Sequence, residues 1–164
     1  MTSSPFAFHE GIPGPLEPPP GWRDRVGPVC RSFYGTPWRD KGMVKGPNGG
    51  VDCCTFVIMV AAELGLIPLF VPPYYTQSMP LHEHGERYLN TIRAVCRPLA
   101  PGEERLPGDV LLFHIRGAAS SGHAAIFLGG DRVAHADWRS GVMEDTMQRA
   151  ILSRPTGTFR PRGA

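Results

Sequence analysis

The 164-residue chain lacks several features that would point to particular classes of protein. Its formal net charge is only +2, and it has no basic stripe with interleaved aromatic residues, so nucleic-acid binding has no support. It also has no apolar stretch long enough to cross a bilayer. From these absences we expect neither a nucleic-acid partner nor a membrane span.

Cysteine is scarce, and its arrangement does not suit a disulfide framework. The chain has four cysteines, and two of them, Cys53 and Cys54, are adjacent. Neighbouring cysteines on a helix are poorly placed for an internal disulfide, so we expect all four to be reduced in the active protein.

Two histidines close in sequence could suggest a metal site. His82 and His84 have i,i+2 spacing, however, which puts them on different faces of a helix. We therefore expect no metal site, and the cysteine chemistry described below requires no cofactor.

The N-terminus lacks both the basic start and the apolar core of a signal peptide, so we expect synthesis in the cytoplasm and any exit by another route. Residues 1–21 are rich in proline instead and predict an arm without regular structure. Two alternatives stay open for the arm: it docks on its own domain or on a partner, or it is a disordered tail. Residues 22–161 are predicted to form one domain, since this length is sufficient for a hydrophobic core.

The chain is organised around the segment 49–65. Asp52 is a good N-cap residue, and the twelve residues that follow it are apolar on every side except at Glu63. Gly65 supplies a helix stop. A buried helix is therefore predicted with Cys53 at its first position, where the positive end of the helix dipole favours the thiolate over the thiol.

Helical patterns dominate the first two thirds of the chain, and strand patterns dominate the last third. The predicted helices cover residues 22–34, 53–64, 80–96 and 145–152, and Pro28 is expected to interrupt or kink the first. The predicted strands cover residues 110–115, 123–128, 132–136, 141–144 and 156–159. Helices followed by closely spaced strands indicate an α+β fold with an antiparallel sheet.

The register of two predicted strands brings two histidines together. If residues 129–131 form a three-residue loop, Ala125 pairs with His135, and His123 then lies on the same sheet face as His135. A two-residue turn would put the histidines on opposite faces. The shared face also carries Phe127 and is the face expected to cover the cysteine helix. A cysteine, a base and a residue that orients the base form an arrangement typical of nucleophilic catalysis.

Five motifs, in order along residues 24–145, resemble those of the NlpC family of papain-like cell-wall cysteine peptidases. Segment 51–57, Val-Asp-Cys-Cys-Thr-Phe-Val, is similar to the family's Asp-Cys-Ser-Gly-hydrophobic-Val motif. Segment 34–38, Tyr-Gly-Thr-Pro-Trp, is similar to its Gly-Thr-Pro-Tyr. Three downstream segments, 107–113, 122–129 and 133–136, resemble its Pro-Gly-Asp strand, its His-Val-Gly strand and its closing His-Ala motif.

The resemblance implies a papain-like fold with Cys53 as nucleophile, His123 as base and His135 as the residue that orients the base. It implies substrate contacts for Asp52, Cys54 and Trp38, although the family has Ser and Tyr where this chain has Cys54 and Trp38. The implied substrate is the peptide stem of peptidoglycan, cleaved at a γ-D-glutamyl-diamino acid bond.

Short members without a signal peptide resemble a phage-tail and gene-transfer-agent branch of the family. This implies incorporation in a virion or phage-like particle, with tail or baseplate proteins bound through the N-terminal arm. Two alternatives stay open from the sequence. One is an amidase or acyltransferase on the same scaffold, and the other is a structural tail or plug protein with a vestigial site.

Overall fold

The structure is a computed structural model that describes residues 11–72, 87–114, 121–147 and 155–164. A 3-10 helix, Trp22–Arg25, leads into the first of three described α-helices. The α-helices are α1 (Val26–Ser32), α2 (Cys53–Glu63) and α3 (Arg87–Val95). The strands are β1 (Met43–Val44), β2 (Gly50–Val51), β3 (Cys96–Pro98), β4 (Val110–His114), β5 (Ser121–Gly129), β6 (Arg132–Asp137), β7 (Gly141–Thr146) and β8 (Pro155–Pro161).

The described strands form a two-stranded hairpin and a six-stranded sheet. The sheet has the order β3-β8-β4-β5-β6-β7, and all neighbouring strands are antiparallel. This arrangement confirms the α+β class with an antiparallel sheet. Within the described part of the chain, no helix combines the length and the apolar character that crossing a membrane requires.

Helix α2 is buried against one face of the sheet, as its sequence predicts. Its apolar side chains share the main core cluster with Ala124 and Ile126 of β5 and Ala134 of β6. Phe33, at the end of α1, packs edge-on against Phe56 with ring centroids 5.6 Å apart. The helix that carries Cys53 is therefore fixed along most of its length by the core.

Several elements differ in extent from the prediction. Pro28 lies in the first turn of α1, where a missing N–H costs nothing, so it does not interrupt the helix. The hairpin β1–β2 and the short strand β3 were not predicted, because strands of two or three residues carry no periodicity to detect.

The described residues include only part of the two predicted helices at 80–96 and 145–152. Residues 80–86 lie outside the described residues, and the helix there runs from Arg87 to Val95, ahead of β3. Residues 145 and 146 belong to β7 rather than to a helix, and residues 148–152 lie outside the described part.

Part of the N-terminal arm lies against the domain. Ile12 is buried in the main core cluster, and the N–H of Leu16 donates to the carbonyl of Leu66 at 2.8 Å. Residues 1–10 lie outside the described residues. The division into an arm at 1–21 and a domain at 22–161 stays a prediction.

Candidate active site

The start of α2 is fixed by a capping box around Asp52. Its Oδ1 accepts from the backbone N–H groups of Cys54 and Thr55, both at 2.9 Å, and Thr55 Oγ1 accepts from the N–H of Asp52 at 2.9 Å. A capping box satisfies the N–H groups that a helix start otherwise leaves without partners. The position of Cys53 is thereby set by its neighbours on both sides.

The second oxygen of Asp52 ties a loop to the same point. Asp52 Oδ2 accepts from the backbone N–H of Lys41 at 2.8 Å. Lys41 has a φ of 56°, a left-handed conformation that residues other than glycine rarely adopt. Because Asp52 is buried, these contacts hold the loop beside the first turn of α2.

The thiol of Cys53 is half-buried and points toward the beginning of β5. Its Sγ lies 3.8 Å from the carbonyl oxygen of Gly122, the residue directly before His123. The nucleophile predicted from the sequence therefore lies beside the strand that carries the predicted base.

The two predicted histidines are in direct contact. His123 Nε2 lies 3.0 Å from His135 Nδ1, and the rings are nearly perpendicular with centroids 5.1 Å apart. His135 is buried, with 3% of its surface exposed, whereas His123 is half-buried. Because His123 uses Nε2 for this contact, its Nδ1 is the nitrogen available to a thiol.

The connection between β5 and β6 explains why the histidines share a face. The strands end at Gly129 and begin again at Arg132, so the connection has two residues rather than the predicted three. A register shift between Phe127 and Gly129 absorbs the difference, and Phe127 pairs with Val133. The pairing upstream of the shift is the predicted one, with both histidines on one side.

This shared face is not the one that packs on α2. Phe127 belongs to a second cluster, with Leu111, Phe113, Ala125 and Val133, on the side of the sheet away from α2. The expectation that the histidine face covers the cysteine helix is therefore wrong. The thiol of Cys53 reaches the end of β5, at Gly122, instead of lying beneath the sheet.

Burial keeps both histidines neutral. Burial, reinforced by the neighbouring His135, lowers the pKa of His123 to about 3. Burial also lowers the pKa of His135, although the carboxylates of Asp137 and Asp145 oppose it. A neutral imidazole has one donor and one acceptor nitrogen. If His123 Nδ1 is to accept the thiol proton, His123 Nε2–H must donate to His135 Nδ1, which leaves the proton of His135 on Nε2.

The three residues predicted to contact substrate occupy different surroundings. Trp38 is half-buried and forms an isolated bridge with Val51, two residues before the nucleophile. Cys54 is buried in the main core cluster, and Asp52 is engaged by three backbone N–H groups. Their roles toward a substrate stay predictions.

The structure adds two features that the sequence argument missed. The tie from Lys41 to Asp52 depends on a loop conformation that no motif signals. Asp145 on β7 has its Oδ2 4.0 Å from His135 Nε2. Asp145 pairs with Val133 and so lies on the histidine side of the sheet. This placement had no signal in the sequence, because it depends on the pairing of β6 with β7 and residue 145 was predicted to begin a helix.

The NlpC/P60 family matches residues 35–160 of this chain, which is well over half of its length. Comparison with curated protein sequences finds no match. Several solved structures share the fold at low sequence identity. A crystal structure of the NlpC/p60 domain of the peptidoglycan hydrolase SagA has a TM-score of 0.56 and 18% identity, covering 84% of this chain and 97% of that one.

Two further structures are similar over less of their own length. An NlpC/P60 family protein from Bacillus cereus ATCC 10987 has a TM-score of 0.57 and 18% identity, covering 88% of this chain and 41% of that one. NlpC1 from Trichomonas vaginalis has a TM-score of 0.59 and 10% identity, covering 89% and 47%. The chain thus spans less than half the length of these two proteins.

The range that matches the family contains the three residues that are predicted to be catalytic, Cys53, His123 and His135. The fold around them is the one found in solved NlpC/P60 structures. A capped helix start, a half-buried cysteine and two neutral histidines in contact have the composition of a cysteine peptidase site. This chain belongs to the NlpC/P60 family.

Proposed function

We propose that this protein is a cysteine peptidase that hydrolyses the peptide stems of bacterial peptidoglycan. The observation that carries the proposal is the 3.0 Å contact between His123 Nε2 and His135 Nδ1, on a strand whose first residues adjoin the thiol of Cys53. Membership of the family and the similarity to a peptidoglycan hydrolase domain support the choice of substrate.

The reaction follows from the positions of the side chains. His123 Nδ1 takes the thiol proton of Cys53, and the sulfur attacks a peptide carbonyl carbon to form a tetrahedral intermediate. The backbone N–H of Cys53, at the positive end of α2, is placed to stabilise the oxyanion; loss of one such donor typically costs about 10²–10³ in rate. When the C–N bond breaks, His123 protonates the departing amine and a thioester remains on Cys53.

Water completes the cycle. His123, neutral again, removes a proton from a water molecule as it attacks the thioester carbonyl, and the thiol leaves with the new carboxylic acid released. His135 accepts the hydrogen bond from His123 Nε2 throughout and so fixes the ring's rotation and tautomer. This sequence uses only groups of the chain, the substrate and water.

The bond cleaved is the finer part of the proposal. The family resemblance supports the bond between γ-D-glutamate and the following diamino acid. The family's Ser and Tyr are replaced by Cys54 and Trp38, which changes the hydrogen-bonding groups beside the nucleophile. We therefore expect the residues N-terminal to the scissile bond to differ from those that other family members prefer.

The test is digestion of purified muropeptides, with the products identified by mass spectrometry. We expect cleavage within the stem peptide, a new amine on the diamino acid and a new carboxylate on the glutamate. Cys53→Ala should give no products, and Cys54→Ser should serve as the matched control that retains them. Unchanged muropeptides, or cleavage of the sugar chain, would contradict the proposal, and transfer to an added amine would favour the acyltransferase alternative.

Association with a phage-like tail is a second, finer element of the proposal, and it rests on the sequence of the arm. Residues 11–21 include contacts with the domain, so binding of a tail or baseplate protein would involve residues 1–10. The chain should then be detected in purified particles by peptide mass spectrometry. Particles that contain it equally well when residues 1–10 are deleted would contradict this role for the arm.

A further inference from the structure

A buried ring nitrogen of His135 has no hydrogen-bond partner among the described residues. This atom, His135 Nε2, is enclosed, since the side chain has only 4% of its surface exposed. The tautomer that the proposed reaction requires puts a proton on it. A buried N–H without an acceptor is destabilising, so an acceptor is expected nearby.

Asp145 is the carboxylate in position to be that acceptor. Its Oδ2 lies 4.0 Å from His135 Nε2, and its side chain is 17% exposed. Met143 pairs directly with His135 across β6 and β7, which makes Asp145 a diagonal neighbour on the same face. Its Oδ1 accepts from the backbone N–H of Thr146 at 2.8 Å, which orients the carboxylate.

We propose that Asp145 is a positioning residue of the catalytic site, acting through His135. Its carboxylate holds the proton of His135 on Nε2, so that His135 Nδ1 stays an acceptor for His123 Nε2–H. His123 then presents Nδ1 to the thiol of Cys53. The inference rests on the proposed cysteine-peptidase function and extends the chain of polar contacts by one member, from Cys53 to Asp145.

The separation of 4.0 Å is longer than a direct hydrogen bond. A bridging water or a small rotation of the Asp145 side chain closes a gap of this size. Catalytic hydrogen bonds also commonly shorten when substrate binds. The negative charge of Asp145 further favours the imidazolium that forms when His123 holds the thiol proton.

Asp137 is the other carboxylate that acts on His135, and its geometry is different. Its Oδ1 accepts from the backbone N–H groups of Arg139 and Ser140, at 2.9 and 2.8 Å, in the turn between β6 and β7. Oδ1 of Asp137 is therefore engaged by the turn, whereas the carboxylate oxygen that lies 4.0 Å from His135 Nε2 belongs to Asp145.

The first experiment measures the tautomer of His135 by NMR of the protein labelled with ¹⁵N-histidine. We expect the Nε2–H form in the wild type, a mixture of both forms in Asp145→Ala, and a smaller change in Asp145→Asn, whose amide oxygen still accepts. Glu144→Gln is the matched control, because Glu144 lies on the same strand but contacts Tyr34 and Arg132 instead. An unchanged tautomer in Asp145→Ala would overturn the proposal, as would a change produced by Asp137→Asn alone.

The second experiment measures the rate at which iodoacetamide alkylates Cys53, which requires no substrate. We expect Asp145→Ala to slow alkylation at pH 7 by about 10-fold. Removing the hydrogen-bond partner of a metal-bound histidine lowers activity by about 10- to 100-fold, and we take the low end of that range for His135. In a His135→Ala background the same change should have less than about a 2-fold effect, because coupled residues are not additive. Equal effects in both backgrounds would overturn the proposal.

Steady-state kinetics with muropeptides distinguishes failure of this inference from failure of the proposed function. If muropeptides are cleaved, Asp145→Ala should lower kcat by about 10-fold with KM nearly unchanged, since Asp145 does not touch the substrate. If muropeptides are not cleaved but the tautomer and alkylation results hold, the proposed substrate is wrong and the role of Asp145 stands.

Discussion

The thiol of Cys53 differs from the other three cysteines in exposure. Cys30, Cys54 and Cys96 are buried, and Cys53 is half-buried. Burial raises the pKa of Cys30 and of Cys96 to about 12, so neither forms an appreciable thiolate at neutral pH. No disulfide bond links the four cysteines, all of which lie within the described residues.

We predict that limiting iodoacetamide labels the native protein at Cys53 alone. Peptide mapping should locate one modified cysteine, and the modified protein should be inactive in muropeptide digestion. Cys54→Ser is the matched control and should be labelled at the same rate. Modification of Cys54 with Cys53 spared would show that the nucleophile has been assigned to the wrong member of the pair.

The contact between the two histidines predicts a graded response to substitution. His123→Ala should abolish activity, because the proton acceptor is lost. His135→Asn and His135→Gln keep a polar partner for His123 and should retain part of the activity, whereas His135→Ala should lose more. The measurements are kcat and KM, with thermal unfolding to show that each variant is folded. Full activity in His135→Ala would mean that another group orients His123.

At the scale of elements, the helix start and the adjoining loop depend on one carboxylate. Asp52 accepts from Cys54, Thr55 and Lys41, and it is buried. Loss of a helix N-cap costs about 1–2 kcal/mol, and a buried N–H without a partner adds to that cost. The cap therefore links the stability of α2 to the position of the nucleophile.

We predict that Asp52→Ala lowers the free energy of unfolding by about 2–3 kcal/mol in urea denaturation. Asp52→Ser restores the cap but not the contact with Lys41, so it should recover about half of the loss. Asp40→Ala is the control, because Asp40 is exposed in the same loop. A variant Asp52→Ser that is stable but has a raised KM would support the predicted substrate role of Asp52, whereas an unchanged stability in Asp52→Ala would contradict the capping argument.

The elements also show which parts of the site the sequence could predict. The buried helix, its cap and its end at Gly65 follow from local signals, and each was predicted within a residue. The register between β5 and β6 was predicted correctly, although the length of the connecting loop was not. A bulge beside Gly129 takes the place of one loop residue, so the side chains upstream of it keep their predicted faces. The face that meets α2 was predicted wrongly, since apolar residues line both sides of β5.

For the molecule as a whole, the neutral histidine pair links stability to pH. The pKa of His123 is about 3 in the folded protein, against an ordinary value near 6.5 in an unfolded chain. The unfolded state therefore binds the proton first as the pH falls. The contribution of His123 to the free energy of unfolding is therefore at its maximum above pH 6.5, and it decreases as the pH falls from 6.5 to about 3.

We predict that acidification from pH 7 to 4.5 destabilises the wild type more than His123→Gln, by about 2 kcal/mol. Titration of the surface carboxylates is common to both proteins, so the difference isolates the histidine. Urea denaturation at a series of pH values gives the comparison. Parallel curves for the two proteins would contradict burial of a neutral His123.

The α+β fold class could be predicted from the sequence, but the order of the strands in the sheet could not. Local patterns indicated the helices and most strands, and the order of helices before strands gave the α+β class. The strand order β3-β8-β4 brings the last strand between two earlier ones, a placement that depends on contacts far apart in the chain. The role of β7 in carrying Asp145 to His135 likewise depends on tertiary pairing.

The most direct test of the central claim uses a stem-peptide diazomethyl ketone, an electrophile that reacts with the thiol of a cysteine peptidase when it is bound as a substrate. We expect it to modify Cys53 with one label per protein, much faster than iodoacetamide does, with protection by intact muropeptide and little reaction in His123→Ala. Reaction no faster than iodoacetamide, or a label at any other residue, would contradict a peptidase site built from Cys53, His123 and His135.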